Sequence, residues 1–333
     1  MNKSSGSDIY KVDSLEHFLG KFDATNLALL IDENVNHHFG AWFEPYCKFI
    51  IPSGEDQKSI STIDHVIRFL MDSGIDRKGS IIGIGGGVVC DITGFAASIY
   101  LRGVNFGFLP STLLAMCDAA IGGKNGVNFQ SAKNIIGLIR QPQFIGYYYP
   151  FLDTLPQEEY TNGMAEVIKH AFLDGFEFID YLKENYILIK SRDITVLEKM
   201  IMWSHQVKSK IVEKDEMEQG ERKKLNLGHT LAHAIEVNSN FSHGQSVSIG
   251  MHMAAKIAHQ KKLCAIETCR IIEELCKLYD LPLDSGISSR PIMNSIVYDK
   301  KRKSGEIDFV IPMAPGKVEI LAIPLEELED LIK

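Results

Sequence analysis

Several features are scarce in this chain of 333 residues. No run of about 18 apolar residues occurs, so no segment is long enough to be expected to cross a membrane as a helix. The opening residues, MNKSSGSDIY, lack the apolar stretch of a secretory signal, and secretion is not expected. The six cysteines include no CxxC pair and sit mostly within apolar patterns, which predicts reduced, buried thiols in a cytoplasmic protein. Positive charge is in deficit: 35 Lys and Arg against 43 Asp and Glu give a net charge of -8. That balance argues against a nucleic-acid surface and leaves anion recognition to local clusters of cations. Internal repeats and low-complexity tracts are absent too. What remains is ordinary for a soluble globular protein, with 45% hydrophobic and 23% charged residues and enough length for two domains.

Taken in order, the first part of the chain alternates strand and helix patterns. Asn26 to Ile31, followed by Asp32, predicts a buried strand, Val35 to Phe43 a short helix, and Lys48 to Ile51 another strand. Ser59 to Ser73 carries apolar residues at helical spacing and closes on Gly74. Ser80 to Ile84 is again a strand pattern, then Gly85, Gly86 and Gly87 precede a helical stretch from Val88 to Tyr100. Phe106 to Leu109 and Phe144 to Tyr149 continue the sheet. Such alternation points to a parallel α/β sheet that binds ligands beyond the carboxyl ends of its strands. From Gln157 to Tyr279 the periodicity is helical with short breaks, and a hairpin over Asp308 to Leu321 and a last helix follow. The expected division is therefore an α/β domain over 1–152 and a mainly α-helical domain over 153–333.

The helical half is organised around Asn226 to Val247, NLGHTLAHAIEVNSNFSHGQSV. His229 and His233, four apart, share a helix face, as a metal or phosphate site would require, and His243 follows a short polar break. A lone histidine is ordinarily a packed side chain, but three converging imidazoles suit a ligand. Thr230 stands where a zincin would carry glutamate, so a metalloprotease is not expected. Two histidines and a carboxylate make a common open zinc site, and Glu166, three residues before Lys169 in an apolar helix, is the candidate carboxylate. Read alone, Glu166 and Lys169 would equally be a buried ion pair.

Other candidates are local clusters. Gly83-Ile-Gly85-Gly86-Gly87-Val-Val-Cys-Asp91 follows a strand and opens a helix, where backbone N–H groups meet a pyrophosphate. Asp32 is placed at a strand end for a ribose diol, and Glu55 with Lys58 for the adenosine side, which together suggest NAD rather than NADP. Asp118, Lys124 and Asn134 fall in a glycine-rich loop region in which lysine suits phosphate, and Arg102 precedes Gly103. Lys208 with Arg222 matches a substrate carboxylate, while Glu218 and Arg222 are also spaced as an ordinary i,i+4 pair.

Together these motifs resemble the 3-dehydroquinate synthase family of sugar phosphate cyclases, over roughly Asp32 to Pro312. The resemblance rests on PSGEDQK at 52–58, GGGVVCD at 85–91, LRG at 101–103, PSTLL at 110–114, DAAIGGKNGVN at 118–128, KN at 133–134, MAEVIK at 164–169, DEMEQGERKKLNLGHTLAHAIE at 215–236, HGQSV at 243–247 and DKK at 299–301. Jointly they are specific to the family, whereas none is alone. The resemblance implies a Rossmann-like NAD domain, a helical domain, an active site between them and a homodimer. Glu166, His229 and His243 would hold a divalent metal, zinc or alternatively cobalt, and His233 would not be a ligand. Lys124, Asn134, Asn226, His233 and one of Lys300 or Lys301 would surround a substrate phosphate, with Arg102 reaching in from a partner subunit. Lys208 and Arg222 would bind its carboxylate, and Asp118, Lys169 and Glu218 its ring hydroxyls. The positions expected around NAD are Asp32, Asn34, Glu55, Lys58, Gly85, Gly86, Gly87, Asp91, Ser111, Thr112, Asp118, Lys124 and Lys133.

The activity so implied converts 3-deoxy-D-arabino-heptulosonate 7-phosphate, a phosphorylated sugar acid, to 3-dehydroquinate and phosphate in the shikimate pathway. Transient oxidation by NAD, β-elimination of phosphate, re-reduction, ring opening and aldol closure follow one another. Related cyclases forming an aminated or inosose-type product are the alternatives, as is a glycerol dehydrogenase-like oxidoreductase, whose small neutral substrate fits poorly with Lys124, Lys208, Arg222 and Lys300. The chain departs from the family pattern in places. Gln245 replaces the usual glutamate of HGE, which predicts a missing carboxylate beside the metal. Ala119-Ala120 replace a Ser-Ser pair, Asn125 replaces threonine, and Tyr148 and Tyr149 stand where aspartate is frequent.

Overall fold

The computed structural model describes residues 2–4, 6–130, 132–300 and 305–332, with side chains described for 6–130, 132–297 and 305–332. The chain forms two compact units, one ending at Tyr160 and the other beginning at Thr161, so the division falls inside helix α5, Gln157–Asp174.

The first unit is built on one sheet. Its strands are β1 (Asn2–Ser4), β2 (Ser7–Lys11), β3 (Leu27–Asp32), β4 (Cys47–Ile51), β5 (Ser80–Gly85), β6 (Asn105–Pro110) and β9 (Phe144–Tyr147), in the order β1-β2-β9-β6-β5-β3-β4. β1 and β2 are antiparallel and every other pair is parallel. Helices α1 (Leu15–Leu19), α2 (Glu33–Phe39), α3 (Ile60–Asp72) and α4 (Gly87–Ile99) connect the strands. Leu27 to Ile31 are wholly buried, so β3 reads as an unbroken apolar run because both of its faces are covered. α3 starts on Ser59, whose side chain accepts from Thr62 N, and Gly74 beyond its end has φ of 69°.

From β3 the chain moves to β4 on one side, then returns to place β5 on the other. The carboxyl ends of β3 and β5 therefore flank the topological switch point, where doubly wound sheets bind ligands. Gly85 ends β5 there, and a β-carbon on it would lie 2.6 Å from Val89 Cγ2 and 3.1 Å from Asp32 Cβ. Only glycine admits so close an approach.

Two features of this unit were not expected. β2 joins the sheet beside β9, and the glycine-rich stretch read as a loop is a π-helical turn, Ala115–Ala119, followed by an antiparallel hairpin, β7 (Lys124–Phe129) and β8 (Ala132–Ile139). Gln130 and Asn134 take φ of 54° and 53° near its turn. Asn125 Nδ2 donates to Gly123 O at 2.7 Å and to Arg140 O at 2.9 Å, closing the hairpin base.

The second unit is mainly helical: the rest of α5, then α6 (Phe176–Glu184), α7 (Tyr186–Lys190), α8 (Ile194–Lys214), α9 (His229–Val237), α10 (His243–Gln260), α11 (Ile266–Leu278) and α12 (Ser289–Lys300). The hairpin β10 (Glu306–Ala314) and β11 (Lys317–Pro324) and helix α13 (Leu325–Leu331) complete it. From Asn162 to Ala171 helix α5 is buried on every face, as expected of a helix at the centre of a core. α9 and α10 touch through glycine. Gly228, the N-cap of α9, has φ of 82°, and a β-carbon on it would lie 2.7 Å from Met251 N. One on Gly250 would fall 2.2 Å from Gly228 O, so the two backbones meet without side chains between them.

Candidate metal centre and nucleotide-binding surface

Helix α5 carries Glu166 and Lys169 one turn apart, with 0% and 2% of their surfaces exposed. The Lys169 ammonium contacts Glu166 Oε2. Glu166 Oε1 faces two imidazoles from other helices, 3.4 Å from His229 Nε2 and 3.6 Å from His243 Nε2. His229 opens α9, His243 opens α10, and their ring centroids are 5.4 Å apart. Each ring turns its other nitrogen to a protein acceptor: His229 Nδ1 lies 3.3 Å from Leu227 O and His243 Nδ1 lies 2.7 Å from Glu236 Oε1.

The Oε1 to Nε2 distances exceed those of ordinary hydrogen bonds, yet all three donor atoms lie within 4.8 Å of one another. Ligand atoms about 2.0–2.1 Å from a tetrahedral ion sit roughly 3.3–3.4 Å apart, so the spacing fits three ligands around one cation. The donor set, two imidazoles and a carboxylate, is that of an open zinc site, and the acceptors behind both rings match the outer shell such sites use.

Electrostatics separates the three groups. Burial pushes the Glu166 carboxyl up, but Lys169, His229 and His243 outweigh it and hold Glu166 well below the ordinary range. His229 is lowered to about 3, first by burial and then by the Lys169 ammonium. His243 is raised to about 10: burial opposes this, but Glu166 and Glu236 on either side prevail.

His233 lies a turn beyond His229, exposed, its ring centroid 5.7 Å away, and outside the donor set. Gln245, where a missing carboxylate was expected, belongs to the start of α10: its Oε1 accepts from Ser242 N at 2.9 Å while Ser242 Oγ faces Gln245 N, a capping box. The carboxylate behind His243 comes from Glu236 instead. The sequence held a signal for it, since Glu236 lies seven residues after His229 and so returns to the same side of α9 after two turns.

The remaining second-unit candidates lie on α8 and the turn after it. Lys208 and Arg222 are 7% and 2% exposed. Asp215, overlooked in the sequence, gathers the turn: Oδ1 accepts from Gln219 N at 2.9 Å and Oδ2 from Gly220 N at 2.7 Å and Arg222 N at 3.0 Å. These backbone donors lower the Asp215 carboxyl. Glu218 sits in the left-handed region, φ 58°, and its Oε1 accepts from Asn226 Nδ2 at 2.8 Å. Arg222 Nη1 donates to Glu216 O at 2.5 Å. Lys301 lies outside the described residues, and the Lys300 side chain is likewise outside them.

In the first unit the switch point collects part of the expected nucleotide set. Asp32 caps α2, accepting from Asn34 N at 2.9 Å, and Asn34 Nδ2 donates to Ser53 Oγ at 2.6 Å. Ser111 N donates to Gly85 O at 2.8 Å, and the Thr112 side chain lies beside Gly86. Gly86 and Gly87 open α4, whose first N–H groups point out of the sheet end. Lys58 is paired with Asp91, and Glu55 Oε1 accepts from Asn128 Nδ2 at 2.9 Å, which ties this strand end to the β7–β8 hairpin. Asp118 lies in the π-helical turn. Lys124 opens β7 opposite Ile139, and Lys133 and Asn134 are exposed on β8 towards the turn. Arg102 stands apart, beyond the far end of the 13-residue α4 from Gly87, about 20 Å along its axis. Leu101 and Arg102 take φ of 48° and 65° there, a strained pair that turns the arginine to solvent.

A doubly wound, Rossmann-like unit followed by a mainly helical unit with a carboxylate and two histidines at one point defines a class of metal- and nucleotide-dependent enzymes. The descriptions 3-dehydroquinate synthase N-terminal and 3-dehydroquinate synthase C-terminal match residues 48–162 and 163–302, and the chain belongs to the 3-dehydroquinate synthase family. It is 35% identical over 332 residues to the 3-dehydroquinate synthase of Alkaliphilus metalliredigens, covering 96% of this chain and 93% of that one. To that of Pyrococcus abyssi it is 43% identical over 285 residues, 84% and 82% of the two chains. Among solved structures it is similar to 2-epi-5-epi-valiolone synthase from Streptomyces hygroscopicus with NAD+ and Zn2+ bound, at TM-score 0.88 and 23% identity over 99% of this chain and 97% of the other, a likeness of fold.

Proposed function

We propose that this protein is a lyase that converts 3-deoxy-D-arabino-heptulosonate 7-phosphate to 3-dehydroquinate and phosphate, with NAD regenerated in each turnover. The family match across both units, taken with the convergence of Glu166, His229 and His243, carries this reading. Those three residues would hold a divalent ion, zinc or cobalt, which when bound supplies Lewis acidity towards a substrate hydroxyl, while NAD supplies a reversible hydride acceptor.

The chain's own side chains bind and orient. Lys208 and Arg222, buried cations in an acidic protein, are suited to the substrate carboxylate, and the planar guanidinium fixes its direction. Lys124, Asn134, Asn226, His233 and Lys300 or Lys301 are proposed for the phosphate, with Arg102 contributed across a homodimer. Asp118, Lys169 and Glu218 are proposed for ring hydroxyls. Lys169 also keeps the Glu166 carboxylate charged, the form that ligates. β-Elimination needs the leaving phosphate held in one orientation, which is a task of positioning. NAD is proposed along the carboxyl ends of β3, β5 and β6, within residues 1–152, and the metal ligands and the larger share of the substrate groups within 153–333, with Arg102, Asp118, Lys124 and Asn134 contributed by the first domain. A cytoplasmic homodimer is part of the same reading, and no described helix is long and apolar enough to cross a membrane.

The test supplies purified protein with the heptulosonate phosphate, NAD and zinc, following phosphate release and nicotinamide absorbance together. Phosphate release without net NADH is expected. NADH formed in step with substrate loss and without phosphate would instead indicate an oxidoreductase, and an inert mixture that turns over a hexose phosphate would indicate another cyclase.

A further inference from the structure

We propose that Glu236 is the positioning residue for the metal centre, fixing His243 so that its Nε2 faces the ion, and that residue 245 has no part in this. The proposal rests on the reading of Glu166, His229 and His243 as ligands. His243 Nδ1 lies 2.7 Å from Glu236 Oε1, and the Glu236 side chain is only 11% exposed, so the bond is shielded from water. A carboxylate there requires the proton on Nδ1, which leaves the Nε2 lone pair for the metal and raises its basicity. The two histidines are thereby unequal. His229 has a neutral carbonyl, Leu227 O, at 3.3 Å in the same role.

The bond also spans two helices, since Glu236 lies on α9 and His243 opens α10. It joins the element bearing one histidine ligand to the element bearing the other. Gln245, by contrast, has its side-chain oxygen on Ser242 N at the helix start. Glutamate at 245 would accept the same N–H, because Glu and Gln serve equally in a capping box. The exchange of glutamate for glutamine in this chain therefore changes a helix cap and leaves the carboxylate behind His243 in place.

The experiment measures zinc affinity of metal-stripped protein by competition with a chromogenic chelator, and the visible spectrum of the cobalt form, for the wild type, Glu236→Gln, Glu236→Asp, Gln245→Glu and His229→Ala. Glu236→Gln, which keeps the size but loses the charge, is expected to weaken zinc by roughly 10–100-fold and to shift the cobalt bands. Glu236→Asp should recover part of the loss, and Gln245→Glu should stay within about threefold of the wild type. Wild-type affinity in Glu236→Gln, with zinc still lost in His229→Ala, would overturn the role of Glu236 alone. Tenfold tighter zinc in Gln245→Glu would overturn the exclusion of residue 245. If the wild type held no zinc, or His229→Ala kept it, the ligand assignment itself would fall.

Discussion

His205 shows how burial, helped by a neighbouring cation, sets the state of one side chain. It lies on α8 three residues before Lys208, 1% exposed, and its pKa is lowered to about 4, chiefly by burial and further by the Lys208 ammonium. The folded form keeps the ring neutral, whereas the unfolded chain protonates near 6.5. Above that value the neutral ring costs nothing. As pH falls from about 6.5 through about 4 the unfolded state takes up the proton first, and stability on the order of 3 kcal/mol is lost. Urea titrations between pH 7 and pH 4 should show this slope, reduced in His205→Gln. An unchanged slope in the variant would assign the loss to other groups. At this scale the sequence was most informative where chemistry is carried by rare combinations. A candidate carboxylate at Glu166 and a cluster of His229, His233 and His243 were legible from residue type and spacing, and the family resemblance chose His229 and His243 over His233. Asp215 and Glu236 were overlooked, although Glu236 stands at helical spacing from His229, because a carboxylate that serves backbone donors or another side chain looks like any surface acid until the fold closes around it.

The segment from Asp215 to Asn226 has little regular structure beyond one short 3-10 turn, Glu221–Asn226, and the Asp215 carboxylate gathers three of its backbone N–H groups. Replacing Asp215 by Ala leaves the N–H groups of Gln219, Gly220 and Arg222 without that acceptor, and loosens the segment that carries Glu218 and Arg222. A buried donor left unsatisfied costs about 1–3 kcal/mol, though Gln219 and Gly220 are exposed and water will offset part of it. The expected result for Asp215→Ala is a rise in KM for the sugar acid phosphate of about tenfold or more, with NAD affinity unchanged, since ordering the segment costs about 1.4 kcal/mol per factor of ten. Equal losses of NAD and substrate binding would point to general damage. Elements with long or periodic apolar patterns, such as β3, α3 and the β10–β11 hairpin, were readable in advance. β2 and the β7–β8 hairpin were not. β2 is five residues, Ser7–Lys11, made a strand by pairing with β9 more than 130 positions away, from Asp8 with Phe144 to Lys11 with Tyr147. β7 and β8 contain Gly126, Gly137 and several asparagines, poor strand formers whose backbones pair because the glycines allow close approach.

At the scale of the molecule, an acidic chain concentrates buried cations, Lys169, Lys208 and Arg222, in its helical unit. A ligand that binds only the folded form stabilises it by mass action, which ties the stability of that unit to what it binds. Zinc at about 100 times its dissociation constant should add about 2.7 kcal/mol to the unfolding free energy of the unit that holds it. Calorimetry of the metal-stripped and zinc-loaded protein checks this, and His229→Ala should abolish the difference. A gain that survives in the variant would place the zinc elsewhere. The two-unit organisation was visible as the change from alternating to helical periodicity, while the order of the strands depends on long-range pairing that periodicity does not encode. The glycine contact between α9 and α10 has a consequence for the whole arrangement. His229 follows Gly228 directly, and Gly250 presses against that same peptide from the helix that His243 begins. Two imidazoles on separate helices thus behave like the jaws of a caliper whose pivot is main chain: even a methyl group at either glycine would reset the gap, and with it the size of ion the jaws can grip.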